Sequence, residues 1–250
     1  MSRIRLQEGY SLIELVLVII IIGILTTVAM KSLNSVNDTA RTEETKQELA
    51  RLAYAVAGNP YLLSGGARTD HGYIGDVGSM PPDLDALVSN PGGYSTWDGP
   101  YIRDDFSTDG SNTRFKIDAW GQAYSYSGGN TIMSTGGGTT ISREIAKSIG
   151  DLLTNRIAAV ITDLDETPPG ATGRDSVKYL LTYPNGSGGV TTRTRFPGSD
   201  GFAEFDSIPI GIHTLTVVYI PQNDTLTRKV NVNPGHDPFI EIHLSENVWP

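Results

Sequence analysis

The most constraining feature of this 250-residue chain is an apolar block close to its start. No charged residue interrupts Leu15–Leu25, and the apolar character continues to Met30. The 21 residues from Tyr10 to Met30 would form a helix about 31 Å long, which matches the hydrocarbon thickness of a bilayer. Arg3 and Arg5 precede the block and favour a cytoplasmic N-terminus. The block therefore predicts a membrane-spanning helix, of which a plain signal anchor is the simplest kind.

One charged residue distinguishes this block from a plain anchor. Glu14 lies five positions into the apolar stretch that begins at Tyr10. A carboxylate costs about 2.5–3.5 kcal/mol near the centre of a membrane helix and less near its end, so such a residue needs a partner. In an assembly of parallel helices, a free α-amino group of a neighbouring subunit could be that partner. Such an amine would exist only if the chain were cut just before Tyr10.

The residues around this position resemble a known processing signal. Arg5-Leu-Gln-Glu-Gly9 followed by Tyr10-Ser-Leu-Ile-Glu14 is similar to the class III signal of type IV pilins and pseudopilins. In that family a membrane peptidase cuts after the glycine and methylates the new N-terminus. The resemblance implies a leader of residues 1–9, cleavage between Gly9 and Tyr10, and an assembly role for Glu14.

The helical pattern continues beyond the apolar block. Apolar residues recur at helical spacing up to Val56, with charged residues such as Arg41 and Glu44 between them. Gly58-Asn59-Pro60 then predicts the end of the helix. We therefore expect a helix over residues 10–57, about 70 Å long, of which 10–30 span the membrane.

Glycine dominates the next region, because 16 of the 28 glycines lie between Gly58 and Gly138. Two segments there, Trp97–Ile102 and Asp118–Tyr126, resemble the major pseudopilin of type II secretion, which implies a small antiparallel sheet in a globular region over 58–153. That pseudopilin also binds calcium through an aspartate-rich loop, whereas Ser134–Thr140 contains no carboxylate, so no calcium site is predicted. The spacing of apolar residues over 140–153 predicts a helix.

The sequence pattern of residues 154–250 is typical of an all-β domain. Seven short apolar-alternating runs are separated by turns, which indicates a β-sandwich. The predicted strands are Ile157–Leu164, Ser176–Tyr183, Val190–Phe196, Phe202–Phe205, Ile212–Tyr219, Thr227–Val232 and Phe239–Leu244. The run from Asp200 to Val217 resembles the carboxypeptidase-regulatory or transthyretin-like class. The predicted fold class is thus α+β: a long pilin-like helix with a small antiparallel sheet, then an Ig-like or transthyretin-like sandwich.

Composition and motifs argue against several functional classes. A net charge of −9 is atypical of nucleic-acid-binding proteins, and the absence of cysteine excludes a disulfide, a thiolate zinc site and a cysteine nucleophile. The sequence contains no Gly-x-Ser-x-Gly elbow, no phosphate-binding loop with lysine and no paired dinucleotide fingerprint. We therefore expect no catalytic residues, no cofactor and no enzymatic activity.

Two groups of residues leave a metal site conceivable. Glu241 and His243 share one face of a predicted strand, and His236-Asp237 immediately precedes that strand. Asp163, Asp165 and Glu166 could bind a cation across a turn. Solvated turns are the commoner environment of such residues, so no metal is predicted.

The resemblance to type IV pilins and pseudopilins implies a pilin-like filament subunit of a type II secretion or type IV pilus-like machine. It would be a single-pass protein of the inner membrane with its C-terminal part periplasmic, or extracellular after assembly. The implied partners are a prepilin peptidase, other pilin or pseudopilin subunits, an inner-membrane assembly platform and membrane lipid. The alternative is a minor tip pilin whose sandwich binds a surface, a polysaccharide or secreted cargo.

Overall fold

The computed structural model describes residues 11–102 and 114–249. It has a mixed α+β fold, in which one long helix is followed by a mostly β region of several sheets. This is the fold class predicted from the sequence.

The long helix α1 runs over Leu12–Ala57. Ser11 caps its start, and the Gly58 N–H closes its end by donating to the carbonyl of Tyr54, 2.7 Å away. Gly58 has φ 82°, a positive value that glycine adopts without strain, which explains the predicted stop at this position. The predicted start at Tyr10 lies outside the described residues.

Two segments of α1 differ in burial. In residues 12–44, which we call the outer segment, no side chain is buried. In residues 45–57, the inner segment, eight side chains are buried, because this part packs on α2 (Gly72–Val77), β3 (Thr131–Ser134) and β4 (Ile141–Glu144). The outer segment therefore projects from the rest of the chain.

The middle region, residues 58–153, surrounds the inner segment. Besides α2, β3 and β4, it contains β1 (Leu63–Ser64), β2 (Ala67–Arg68), α3 (Ile149–Leu153) and two short 3-10 helices, Asp85–Leu87 and Arg114–Lys116. Strands β1 and β2 pair antiparallel, as do β3 and β4. Leu49, Leu52 and Val56 of α1 form one core with Ile74 and Ile132.

The helix predicted over 140–153 is wrong for most of its length. Ile141–Glu144 form β4, which pairs with β3, and only Ile149–Leu153 are helical. The turn at Gly136–Gly138 returns the chain antiparallel, and both strands then pack on α1. Ser148 starts α3 by accepting a hydrogen bond from the Asp151 N–H at 3.1 Å. Tertiary packing on α1 thus overrides the helical spacing.

The last part of the chain is a two-sheet β-sandwich, which also carries a short helix α4 (Gly170–Gly173). All seven predicted strands are present, as β5 (Asn155–Thr162), β6 (Val177–Pro184), β7 (Val190–Arg195), β8 (Phe202–Ile208), β9 (Gly211–Tyr219), β10 (Asp224–Val232) and β11 (Phe239–His243). One sheet has the order β10-β9-β6-β7 and the other β11-β5-β8, in which β11 runs parallel to β5. Alternating residues such as Ile157, Tyr179 and Leu215 fill the core between the sheets.

The sandwich and the middle region share contacts. Ile210 is fully buried in the core around α1, and its N–H donates to the carbonyl of Leu152 at 2.9 Å. Elsewhere the Gly186 N–H donates to the carbonyl of Val77 at 2.9 Å. These contacts place the sandwich against the end of α1 that is opposite the outer segment.

Candidate functional site

The outer segment is the first part of the candidate site. From Leu12 to Val36, 16 large apolar side chains are exposed, with Leu12 at 86% and Ile20 at 56%. Within the described ranges, α1 is the one helix long and apolar enough to cross a membrane, and its best window has a mean hydropathy of 2.8. An exposed apolar surface of this size marks a site of contact with a membrane or with another protein.

Glu14 has a local role that the sequence analysis missed. The Ser11 N–H donates to Glu14 Oε2 at 3.3 Å, and the Glu14 N–H donates to Ser11 Oγ at 3.3 Å. This reciprocal pair is a capping box, and the spacing Ser11-x-x-Glu14 was readable from the sequence. Oε1 of Glu14 has no hydrogen bond to any residue that the structure describes, so it remains able to accept one from outside the chain. Gly9 and Tyr10, the other predicted site residues, lie outside the described residues.

Polar contacts fix the inner segment to the loop at Asp118–Gly121. The Ala119 N–H donates to Thr45 Oγ1 at 3.3 Å, and the Tyr124 hydroxyl donates to Glu48 Oε2 at 2.5 Å. Burial raises the pKa of Glu48, and burial together with the Glu48 carboxylate raises that of Tyr124. The outer segment thus projects from a fixed base.

A buried arginine closes the other end of the inner segment. Arg68 is 9% exposed, and its Nη2 donates to the carbonyls of Ala57 at 2.5 Å and Gly58 at 2.7 Å. Its Nε donates to the carbonyl of Asp70 at 2.7 Å. A cation at the last carbonyls stabilises a helix end, both by hydrogen bonding and through the helix dipole. No local pattern around Arg68 predicts this role, because the helix-end carbonyls of Ala57 and Gly58 lie eleven and ten residues away.

The same end of α1 is joined to the sandwich. The backbone carbonyl of Arg68 accepts a hydrogen bond from Asn231 Nδ2 at 2.5 Å, and Nε2 of the buried His71 donates to Asn231 Oδ1 at 3.1 Å. Burial, with the nearby Arg68 charge, lowers the pKa of His71 to about 4, so the ring is neutral near pH 7. Orientation of α1 is therefore coupled to the sandwich.

Asp118 contacts the loop Ser134–Thr140, which corresponds to the calcium loop of the major pseudopilin that the sequence resembles. Its Oδ1 accepts from the N–H groups of Trp120 and Gln122, each at 2.9 Å. Its Oδ2 accepts from Ser134 Oγ at 2.5 Å and from the Gly136 N–H at 3.1 Å. Burial opposes ionisation of this carboxyl, yet the hydrogen bonds, above all that from Ser134, lower its pKa. Four donors use the capacity of the carboxylate, so the loop after β3 is held by hydrogen bonds.

The two conceivable metal groups serve turns and strand ends instead. Asp163 Oδ1 accepts from the N–H groups of Asp165 at 3.2 Å and Thr167 at 2.9 Å. Asp237 Oδ1 accepts from the Arg156 N–H at 2.8 Å, and His243 Nδ1 shares a hydrogen bond of 2.8 Å with Thr162 Oγ1. Among the described residues, no group of three or more His, Asp or Glu side chains is arranged to hold a metal ion.

Comparison with known proteins gives only distant likenesses. No family model matches the chain, and no curated protein matches it. The Bacillus anthracis TIE protein is 14% identical, with a TM-score of 0.30, over 42% of this chain and 18% of that one. The group B streptococcus pilus 2b backbone protein is 12% identical, with a TM-score of 0.25, over 46% of this chain and 48% of that one.

A third structure, the major pilin subunit BcpA of Bacillus cereus, is 12% identical with a TM-score of 0.23, over 47% of this chain and 37% of that one. The chain therefore spans less than half the length of each of the three proteins. TM-scores this low do not establish a shared fold.

Proposed function

We propose that this chain is a pilin-like filament subunit that resembles type IV pilins and pseudopilins. The observation that carries the proposal is the exposed apolar surface of the outer segment, with 16 large apolar side chains from Leu12 to Val36. Burying one such side chain stabilises a protein by about 1.5–3 kcal/mol, so leaving all of them in water would be strongly unfavourable. Lipid would cover them in the stored subunit, and neighbouring helices in the filament.

The distribution of apolar residues supports both environments. In Leu15–Leu25 every side of the helix is apolar, as expected for a segment that contacts lipid all round. Beyond Lys31 charged residues join the surface, among them Asp38 and Glu43. The subunit would then be a single-pass protein of the inner membrane, with the middle region and the sandwich in the periplasm, or outside the cell after assembly.

Processing would create the group that pairs with Glu14. A prepilin peptidase would cut between Gly9 and Tyr10 and methylate the new amine of Tyr10. In staggered parallel helices, that amine would lie beside Glu14 of the neighbouring subunit. Oε2 of Glu14 accepts from Ser11 within its own chain, which leaves Oε1 for the neighbour. The ion pair would stabilise the correct axial register of the helices. The inner-membrane platform would direct the assembly.

A second candidate function is that of a minor tip pilin whose sandwich binds a surface, a polysaccharide or secreted cargo. One observation favours it: the two lateral edges of the sandwich differ. On one edge Arg193 of β7 donates to the carbonyl of Asp206 of β8 at 2.5 Å and closes the gap between the sheets. On the other edge, where β10 and β11 lie, a cavity of about 350 Å³ opens between Tyr219, Leu226 and Leu244.

Mass spectrometry of membranes and of sheared filaments tests the proposal. In cells with an active prepilin peptidase, we expect a mature chain that begins at N-methylated Tyr10 and is present in the sheared fraction. A chain that still begins at Met1, or one that never leaves the membrane fraction, would contradict the filament function. The copy number in the filaments separates a main subunit from a tip subunit.

A further inference from the structure

A pocket at the end of α1 combines charges and rings that the filament function does not use. It has a volume of about 430 Å³ and lies where the inner segment, the start of the middle region, the chain after β4 and the turn at Pro234-Gly235 meet. A volume of this size accommodates a small ligand such as one or two sugar rings. The pocket is thus formed by both globular parts of the chain.

Three cations line this pocket in a chain whose net charge is −9. Arg143 and Lys147 are exposed, and neither forms an ion pair with any residue of the described ranges. Arg68 is buried and uses Nε and Nη2 for carbonyl groups, while its Nη1 has no hydrogen bond to a described residue. Three positive groups with spare donors around one pocket favour an oxyanion, and a guanidinium suits a carboxylate in particular.

The remaining lining residues suit a ring that carries hydroxyl groups. Asp151 lines the pocket, and its carboxylate accepts no hydrogen bond from the described residues, so it can accept from ligand hydroxyls. Tyr54 and Tyr61 meet edge to face, with centroids 6.5 Å apart. Tyr61 is 79% exposed, so a ligand in the pocket can reach its ring. Aromatic faces pack on the C–H groups of a ligand while their hydroxyls bond its polar groups.

We propose that this pocket binds a carboxylate-bearing sugar of the uronic-acid class. The cationic groups hold the carboxylate, Asp151 accepts from the hydroxyls, and the two tyrosines contact the ring. Because Pro234 and Gly235 belong to the sandwich and Tyr54 to α1, the ligand bridges the two globular parts. Every subunit carries the pocket, so an assembled filament would present many copies to an acidic polysaccharide.

Binding is measured with the full-length chain in uncharged detergent micelles, by saturation-transfer NMR on the protons of the added compound. Three probes separate the contributions: galacturonic acid, galactose, which has the same ring without the charge, and acetate, which has the charge without the ring. We expect a dissociation constant of about 1 mM or tighter for galacturonic acid and at least about tenfold weaker binding of the other two. Equal binding of galactose or of acetate would overturn the proposal.

Two variants test the cations without disturbing the fold. Arg143→Gln and Lys147→Gln remove charges that have no ion-pair partner among the described residues, and each should weaken galacturonic acid binding by about tenfold. Arg228→Gln, an exposed arginine on β10, is the matched control and should leave binding unchanged. Unchanged binding in both pocket variants would overturn the proposal.

The competing explanation is that a second copy of the chain, rather than a sugar, occupies the pocket. If the pocket variants abolish self-association of the full-length chain and leave galacturonic acid binding unchanged, the pocket accepts an acidic side chain of a second copy, and the sugar proposal is wrong. None of these measurements requires processing or polymerisation, so a negative result leaves the filament proposal untouched.

Discussion

The outer and inner segments belong to one uninterrupted helix, α1, but their side chains differ in burial. Ile20 in the outer segment is 56% exposed, whereas Leu52 in the inner segment is 1% exposed. The inner segment belongs to the core of the middle region, and the outer segment contributes no buried side chain to the described part of the chain. The same helix therefore stabilises the globular part at one end and is available for association at the other.

Truncating one residue in each segment should give the largest difference. Leu52→Ala removes buried methyl groups and leaves a cavity, so we expect the free energy of unfolding to fall by about 2–5 kcal/mol. Ile20→Ala should change it by less than about 0.5 kcal/mol, because that side chain has no core to leave. Chemical unfolding in detergent micelles, followed by circular dichroism, measures both. Similar losses in the two variants would mean that the segments are not energetically distinct.

Acidification should lower the free energy of unfolding through His71, which lies near the C-terminal end of the inner segment. Because burial lowers the pKa of His71 from 6.5 to about 4, the unfolded chain binds more protons than the folded chain between these values. Stability from the neutral ring is fully present above pH 6.5 and is lost as the pH falls towards 4, by up to about 3 kcal/mol. Burial lowers the pKa of His213 as well, which acts in the same direction.

Unfolding midpoints in urea between pH 4.5 and 7.5 measure this effect. His71→Gln keeps a group that can donate to Asn231 and removes the titration, so its stability should depend less on pH than that of the native chain. Burial raises the pKa of Glu48, which opposes the trend at the acidic end of this range. A native chain whose stability is flat from pH 4.5 to 7.5 would contradict the buried, neutral state of His71.

The loop at Asp118–Gly121, which contacts the inner segment, should depend on Asp118 for its stability. Calcium should not change that stability. Asp118→Ala leaves four donors without their acceptor, including the N–H groups of Trp120 and Gly136, and should cost about 1–3 kcal/mol. A chelator should leave the melting temperature unchanged, because these hydrogen bonds already use the carboxylate. Thermal melting with and without calcium provides the measurement, and a stabilisation by calcium that disappears in Asp118→Ala would contradict this account.

Sequence reasoning predicted the sandwich far better than the middle region. Each strand from β5 to β11 has its own alternation and its own turns, so local pattern and final structure agree. In the middle region, β4 arises from pairing with β3 and packing on α1, and its local spacing indicated a helix. The role of Arg68 depends on Ala57 and Asn231, which no local pattern connects to it.

In the candidate site, as in the fold, local features could be predicted from the sequence and long-range contacts could not. The apolar block and Glu14 are local features, and both were recognised, although the capping box Ser11-x-x-Glu14 was equally visible and was missed. The hydrogen bonds of Asp118 could not be predicted, since they require the loop after β3 to return to it. Long-range contacts therefore account for most of what the sequence did not reveal.

The smallest effect on stability, and the most specific for assembly, should come from Glu14. Glu14→Ala removes both the capping box and the charge, whereas Glu14→Gln keeps the box, since glutamine serves at this position, and removes the charge alone. Neither change touches the core, so unfolding of the globular part should be unaffected. Both should ease membrane insertion, because an apolar helix tolerates a neutral side chain better than a carboxylate.

If the pair with the Tyr10 amine selects the register, both variants should be cleaved and retained in the membrane yet enter filaments poorly when they compete with the native subunit. Quantitative mass spectrometry of sheared filaments from cells expressing both forms gives the ratio. Leu17→Ala is the matched control, because it shortens one exposed side chain of the outer segment and changes no charge, and it should enter filaments better than either Glu14 variant. Full incorporation of Glu14→Gln with loss of Glu14→Ala would assign the effect to the start of the helix and refute the ion pair, because only the capping box distinguishes these two variants.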